Sequence, residues 1–208
     1  MIYFISDLHI KHTGMVGGII KFERTCFNII EQHDTAVKKA FNILAPEDEV
    51  WILGDIGYYD EWIKTIKSKK YLIMGNHDKW SKAHYENLFD KVYDHPVWFS
   101  PRIVLSHEPI PVEDDILNIH GHLHNSQLDK VNYLNVNIHR MGYKLCSLKQ
   151  INKMLCKIPK LNDKYKFGHE WWINNQMYDS DVSPQYKPPL ASDGRHIDVV
   201  KLLELEKM

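Results

Sequence analysis

The sequence predicts an α/β fold in which two β-sheets pack face to face and helices flank them. In the first 90 residues, short apolar runs alternate with segments of helical periodicity, as in β-α-β units with parallel strands. Further along, short strand-like runs follow one another with turns between them, which indicates a second, largely β half. Polar motifs come directly after several of these runs. They predict a site at the carboxyl ends of the strands, where binding sites of open α/β sheets lie.

The first half contains three predicted strands and three predicted helices. The strands are Ile2–Ile5, Val50–Leu53 and Tyr71–Met74, each a short apolar run. Asn28–Leu44 has apolar residues at helical spacing and is closed by Pro46, and shorter helices are predicted at 60–68 and 80–88. Residues 10–26 contain three glycines and predict a loop over the site.

The second half continues with the strands 92–93, 97–99, 103–106, 117–120 and 133–138. We place the end of the core near residue 155. Residues 156–208 differ in character, because four prolines interrupt a polar, aromatic-rich stretch that closes with a predicted helix over 196–207. Their role as a lid, a dimer arm or a packing segment stays open, as does the oligomeric state.

Composition excludes some classes of protein. A chain of 208 residues with 44% hydrophobic residues forms one domain, or one domain with an extension. The net charge of −1 argues against a general nucleic-acid binder. Residues 144–166 are rich in lysine, however, and this segment is either a solvated helix face or a contact for an anionic partner such as a nucleic acid. Its lysines are Lys144, Lys149, Lys153, Lys157, Lys160, Lys164 and Lys166.

The cysteines and the N-terminus predict a cytoplasmic protein. Cys26, Cys146 and Cys156 are odd in number and lack metal or redox spacing, which is typical of reduced thiols. The first residues have no basic segment or cleavage site of a signal peptide. No apolar run approaches the roughly 20 residues that a membrane span needs.

Five motifs supply the candidate site. Together they offer two carboxylates, one amide oxygen and four imidazoles, a set suited to two adjacent divalent ions that attack a phosphate ester. Mixed oxygen and nitrogen ligation without cysteine favours Mn, with Fe, Zn and Ni as alternatives, over Ca or Mg. A carboxylate such as Asp55 can bridge two ions. The motifs are Asp7-x-His9, Gly54-Asp55, Gly75-Asn76-His77-Asp78, Ser106-His107 and Gly121-His122-Leu123-His124.

This ordered set resembles the calcineurin-like metallophosphoesterase superfamily over about residues 1–150, and within it a group of small bacterial and phage-type phosphoesterases. The resemblance implies a four-layer α-β-β-α sandwich. It also implies that one metal is held by Asp7, His9, Asp55 and His124, and the other by Asp55, Asn76, His107 and His122. His77 would contact the phosphate or protonate the leaving oxygen, with Asp78 orienting its ring.

The implied activity is hydrolysis of a phosphoester by a metal-bridging hydroxide, and more specifically of a phosphodiester. The arginines by which protein phosphatases of this superfamily grip a phosphoryl group are absent, since Ile56 follows Asp55 and Met74 precedes Gly75. Two alternatives stay open: a nuclease acting on single strands, and a scaffold that does not turn over. His120 and Arg24 are further candidates, for a supporting position or for substrate contact.

Overall fold

The computed structural model describes residues 1–13, 18–126 and 128–158. Predictions on residues 159–208, including the closing helix, lie outside this range. The strands in chain order are β1 (Ile2–Ile5), β2 (Glu49–Ile52), β3 (Lys69–Ile73), β4 (Lys91–Tyr93), β5 (Val97–Ser100), β6 (Ile103–Leu105), β7 (Leu117–His120), β8 (Tyr133–Asn135) and β9 (Cys146–Ser147). The α-helices are α1 (Gly18–Phe22), α2 (Ile30–Ala40), α3 (Lys82–Tyr85) and α4 (Leu148–Leu155).

The strands form two sheets, as predicted. The first has the order β4-β3-β2-β1-β9, in which β1 to β4 are parallel and β9 is antiparallel to β1. The second has the order β5-β6-β7-β8, with β6, β7 and β8 parallel and β5 antiparallel to β6. Parallel strands end at the same edge of a sheet, so the loops after β1, β2 and β3 meet there.

Hydrophobic packing explains the layers. Between the sheets, Phe4 and Leu53 pack in one cluster with Leu105 and Ile119 of the second sheet, and all four side chains are fully buried. On the outer face of the first sheet, α2 contributes Val37 to a second cluster. A smaller cluster on the second sheet is made by its own Trp98 and Val104 with Ile116, and the loop residues Ile110 and Val112 pack against it. The α/β fold with two sheets and flanking helices is thus confirmed.

Several elements differ from their predicted extents. The helix predicted to reach Leu44 ends at Ala40 and continues as a 3-10 turn over Phe41–Ile43, while the segment predicted at 60–68 is a 3-10 helix over Glu61–Thr65. The predicted loop over 10–26 contains the short α1. The strand predicted to reach residue 138 leaves the second sheet after Asn135, and Asn137 instead bridges to Ser6.

Sequence analysis did not identify β9 and α4. The strand has only two residues, which is too short for a detectable alternation. The helix, in contrast, begins with a signal that the sequence contains. Ser147 and Gln150 form a capping box in which each side chain bonds to the other residue's backbone. No helix in the described residues combines the length and apolar character that crossing a membrane requires.

Asp78 joins the loops after β2 and β3. Its carboxylate accepts backbone N–H groups from Gly75 at 2.7 Å, Ile56 at 2.8 Å and Asp55 at 3.0 Å. The hydrogen bonds described for this side chain go to the backbone, so Asp78 braces the two loops, and its role in orienting the ring of His77 stays a prediction. Burial raises the pKa of Asp78 to about 6, and the three donors oppose that shift by favouring the ionised form.

We expect Asp78→Asn to destabilise the fold by about 1–3 kcal/mol, because an amide has one acceptor oxygen where the carboxylate has two, and its NH₂ group would face a backbone donor. Urea denaturation measures the change. The control is Asp114→Asn, an exposed loop substitution that should stay within about 0.5 kcal/mol of wild type. Equal stability of the two variants would contradict the bracing role.

Candidate metal centre

The five motifs converge at one end of the two sheets. Asp7 and His9 follow β1, Asp55 follows β2, and Asn76 with His77 follows β3. His107 comes after β6, and His122 and His124 come after β7. Hydrogen bonds between the loops link these segments. The His122 N–H donates to the Asp7 carboxylate at 3.1 Å, and the His77 N–H donates to Asp55 Oδ1 at 2.9 Å.

The backbone is strained at most of the predicted ligands. In the described chain, seven non-glycine residues have a positive φ, and five of them are predicted ligands: Asp7 at 57°, His9 at 46°, Asp55 at 57°, His122 at 63° and His124 at 47°. Each such residue costs on the order of 1–3 kcal/mol and persists only where the surroundings hold it. The left-handed turns direct successive side chains from one loop toward the same point.

Glycines allow the loops to approach the carboxylates. A Cβ on Gly121 would collide with the carboxylate of Asp7 and the side chain of Ser6. A Cβ on Gly75 would collide with the carboxylate of Asp55. The glycines that precede Asn76 and His122 are therefore required by close packing against the two buried acids.

One cluster of ligand atoms contains Asp7, His9 and His124. These atoms lie within 4.8 Å of one another. The rings of His9 and His124 stack with centroids 5.2 Å apart. Asp7 and His9 are fully buried, and Ser6 Oγ donates to Asp7 Oδ2 at 2.6 Å.

A second cluster lies beside the first and shares Asp7 with it. Atoms of Asp7, Asp55 and His107 fall within 4.8 Å of one another. Asn76 Oδ1 lies 2.8 Å from His107 Nε2 and 3.1 Å from His122 Nδ1. Asp55 also faces the first cluster: its Oδ1 lies 3.5 Å from His107 Nε2, and its Oδ2 lies 3.5 Å from His9 Nε2.

These residues fit divalent metal ions. His9 Nε2 and Asp55 Oδ2 are buried without a hydrogen-bond partner, a costly arrangement that a bound cation relieves. His107 Nδ1 donates to the Leu53 carbonyl at 2.8 Å, so in the neutral ring Nε2 carries a lone pair toward Asn76 Oδ1. Two ligands at about 2.1 Å from one ion lie about 3.0–3.4 Å apart, close to the separations observed here.

His77 stands above the clusters as an exposed side chain. Its ring centroid lies 5.7 Å from that of His9 and 5.5 Å from that of His12. It is therefore beside the predicted ligands but open to solvent, as a group that contacts a substrate must be.

Arg24 lies behind the predicted ligands. It is fully buried, and its Nη2 donates to the Asp7 carbonyl at 3.3 Å and to Asn137 Oδ1 at 3.2 Å. Its Nη1 lies 3.3 Å from His124 Nδ1. These contacts join Arg24 to Asp7 and His124, and the choice between a supporting position and substrate contact stays a prediction. His120 is also buried, and its Nδ1 donates to the Gly121 carbonyl at 2.9 Å.

Sequence analysis treated His12 as a loop residue, and the structure places it against a predicted ligand. His12 Nδ1 lies 2.9 Å from His9 Nδ1, and its ring packs on Tyr58 with centroids 4.5 Å apart. Burial, followed by the neighbouring charges of His77, Lys79 and His124, lowers the pKa of His12 to about 4. The only signal in the sequence was its position three residues after His9.

The lysine-rich segment is described only up to residue 158. In α4, Lys149 and Lys153 are exposed, whereas Leu148, Ile151 and Leu155 are buried against the core. The helix starts beside the amino end of β1, since Ser147 pairs with Tyr3, and the motif residues follow the carboxyl end of that strand. These described lysines match a solvated helix face.

Comparison with known proteins finds relatives along most of the chain. An uncharacterised protein of Methanocaldococcus jannaschii is 28% identical over 183 residues, which cover 78% of this chain and 97% of the relative. The gene 66 protein of Mycobacterium phage L5 is 35% identical over 85 residues, which cover 36% of this chain and 39% of that protein.

One solved structure gives the same picture of the fold. A protein of unknown function from Aquifex aeolicus superimposes with a TM-score of 0.58 at 27% identity, covering 74% of this chain and 98% of that one. A Pseudomonas putida nuclease matches with a TM-score of 0.35 at 23% identity, covering 59% and 61%, which is too distant to carry its activity over.

The family profile described as calcineurin-like phosphoesterase matches residues 1–193. The match runs past residue 155, so the predicted boundary between core and extension stays a prediction. Because it spans most of the sequence and agrees with the two-sheet fold, the chain belongs to the calcineurin-like phosphoesterases, a family of metal-dependent phosphoester hydrolases.

Proposed function

We propose that this chain is a two-metal phosphodiesterase. The proposal rests on the convergence of all seven predicted ligands from five separate loops, with Asp7 common to two clusters of ligand atoms and the Asp55 carboxylate facing both His9 and His107. In this proposal Asp7, His9, Asp55 and His124 hold one ion, and Asp55, Asn76, His107 and His122 hold the other. When bound, the ions activate water and neutralise charge on the phosphate.

The side chains of the protein set up this chemistry. The buried histidines present neutral nitrogens, because burial is the main cause that lowers the pKa of His9 and of His124. His77 is an exposed side chain beside these ligands and is proposed to hydrogen-bond the phosphate or to protonate the leaving oxygen. A diester is favoured because the phosphate-gripping arginines are absent: Asp55 is followed by Ile56-Gly57-Tyr58-Tyr59, and Met74 precedes Gly75.

We also propose which metal ion the site binds and where in the cell the protein works. Manganese is the metal we propose first, since the ligands combine imidazole with carboxylate and amide oxygen and include no thiolate. A reducing cytoplasm is proposed because Cys26, Cys146 and Cys156 are all free thiols. The nuclease and scaffold alternatives become outcomes of the assays below.

Metal dependence is the first test. We expect chelator-treated protein to be inactive and Mn²⁺ to restore hydrolysis of bis-p-nitrophenyl phosphate, with a lower rate on the p-nitrophenyl monoester. The release of p-nitrophenol is followed by absorbance. Faster turnover of the monoester would argue against a diesterase. Binding of two Mn²⁺ ions without turnover of either ester would favour the scaffold.

The proposed role of His77 predicts that its loss lowers the catalytic rate but not the affinity for Mn²⁺. His77→Ala should bind Mn²⁺ as wild type does, because the side chain is not a proposed ligand, and should lose about 10²–10⁴-fold in kcat on a diester with a poor leaving group. Calorimetric Mn²⁺ titration and single-substrate kinetics measure the two quantities. A variant with full activity on such an ester would rule out the proposed role.

The contact between His12 and His9 predicts an effect on metal affinity. His9 Nε2 has to be unprotonated to bind an ion, so Nδ1–H donates to His12 Nδ1, which fixes the ring. His12→Leu removes the acceptor and should weaken Mn²⁺ binding about 10–100-fold, whereas His12→Asn keeps an acceptor oxygen and should retain most of the affinity. Calorimetry compares the two variants, and equal loss in both would indicate a packing role instead.

A further inference from the structure

A cavity of about 430 Å³ opens beside the second ligand cluster. Asn76 and His107, which are proposed ligands, form part of its wall, so a group bound there would adjoin the metal centre. Ligand pockets in proteins measure roughly 300–1,000 Å³. The cavity is therefore large enough for one organic substituent of a phosphoester, such as an aromatic ring or a small sugar.

Besides Gly75, His95 and Ser106, the rest of the wall is apolar or acidic. Its apolar residues are Ile73, Met74, Pro96 and Ile110. Two carboxylates, Asp94 and Glu108, also line it, and among the described residues on its wall there is no lysine or arginine. Both acids are on exposed residues, so they stand at the opening to solvent.

A neighbouring histidine favours the ionised form of Asp94. His95 is buried, and its Nδ1 lies 2.9 Å from Asp94 Oδ1, which keeps the pKa of Asp94 below its usual range. Lys82 Nζ lies 4.0 Å from the same oxygen but does not line the cavity. A substituent in the cavity thus meets carboxylate oxygens, which accept hydrogen bonds and attract cations.

We propose that this cavity binds the organic group of the diester and selects groups that are cationic or rich in hydrogen-bond donors over groups that carry a further negative charge. The inference rests on the proposed phosphodiesterase function and narrows its substrate class. The enzyme would act on compact diesters. A nucleic-acid strand is disfavoured, because the next phosphate of the strand would approach Asp94 and Glu108.

Symmetric diaryl phosphates test this selection, since either ring then brings the same charge into the cavity. The probes are bis(4-aminomethylphenyl) phosphate, diphenyl phosphate and bis(4-carboxyphenyl) phosphate. At low ionic strength, we expect kcat/KM for the cationic diester to exceed that for the anionic diester about tenfold. This is the effect expected of one charge pair a few ångströms apart near the protein surface. The ratio should shrink at about 0.5 M salt.

Charge-neutral variants assign the effect to the cavity. Asp94→Asn combined with Glu108→Gln should reduce the cationic-to-anionic ratio at least about threefold, because both negative charges are lost while each side chain keeps one acceptor oxygen. Glu47→Gln combined with Glu49→Gln removes the same net charge at the amino end of β2, opposite the site, and should leave the ratio unchanged. An identical ratio in wild type and in the cavity double variant would overturn the proposal.

A binding measurement separates this inference from the activity. Calorimetry with the same three diesters and Mn²⁺-loaded protein requires no turnover and should give the same order of affinity. If bis-p-nitrophenyl phosphate is not hydrolysed, the proposed function fails, and the order of affinities still decides whether the cavity selects by charge. Tighter binding of the anionic diester would refute the selection even in an active enzyme.

Discussion

The burial of Asp7 and Asp55 among imidazoles is the interaction on which the arrangement of this site depends. Desolvation raises the pKa of Asp55, and it lowers the pKa of His9 with help from His124, Arg24 and other neighbours. Without a cation, the ionised acid is thus disfavoured, although His107 opposes the shift. A divalent ion favours the charged carboxylate, and burial already favours the neutral imidazole, so with the ion bound both side chains are in the state that ligation needs.

Neighbouring residues hold the strained backbone of this cluster in place. Left-handed backbone at five of the predicted ligands has to be held by its surroundings. Asp78 supplies part of that restraint through its three backbone contacts, and Arg24 does so from behind Asp7. These two charged residues therefore belong to the framework of the site. Neither is exposed, and the side chain placed to meet a substrate is His77.

The two sides of the site differ in chemistry. Toward the second cluster lies the cavity with Asp94 and Glu108 on its wall. On the side of His12, Lys79 Nζ lies 3.5 Å above the centre of the Tyr58 ring, so that side presents a cation and an aromatic surface. A diester bound across the metal centre would meet unlike surroundings at its two ester groups. This asymmetry offers a physical basis for selectivity that the motifs alone do not contain.

The sequence by itself determined the fold class and the family, because the five motifs follow short apolar runs and the ends of parallel strands meet at one edge. The resemblance to the family implied that Asp55 and His107, which are 52 residues apart, would lie together, and Asp55 Oδ1 lies 3.5 Å from His107 Nε2. The sequence did not predict β9, because a strand of two residues is too short to show an alternation of apolar and polar residues. It also predicted the ends of the helices less accurately than their existence.

Only the tertiary structure decided what depends on contacts between distant segments. The sequence placed Asp78 next to His77, but the fold turns its carboxylate to the backbone of another loop. It likewise brings His12 onto His9, buries Arg24 and gathers Asp94 and Glu108 around one cavity. The physical reason is that motif spacing reports the chemistry of a residue and its nearest strand, whereas its partners are set by how the loops pack together.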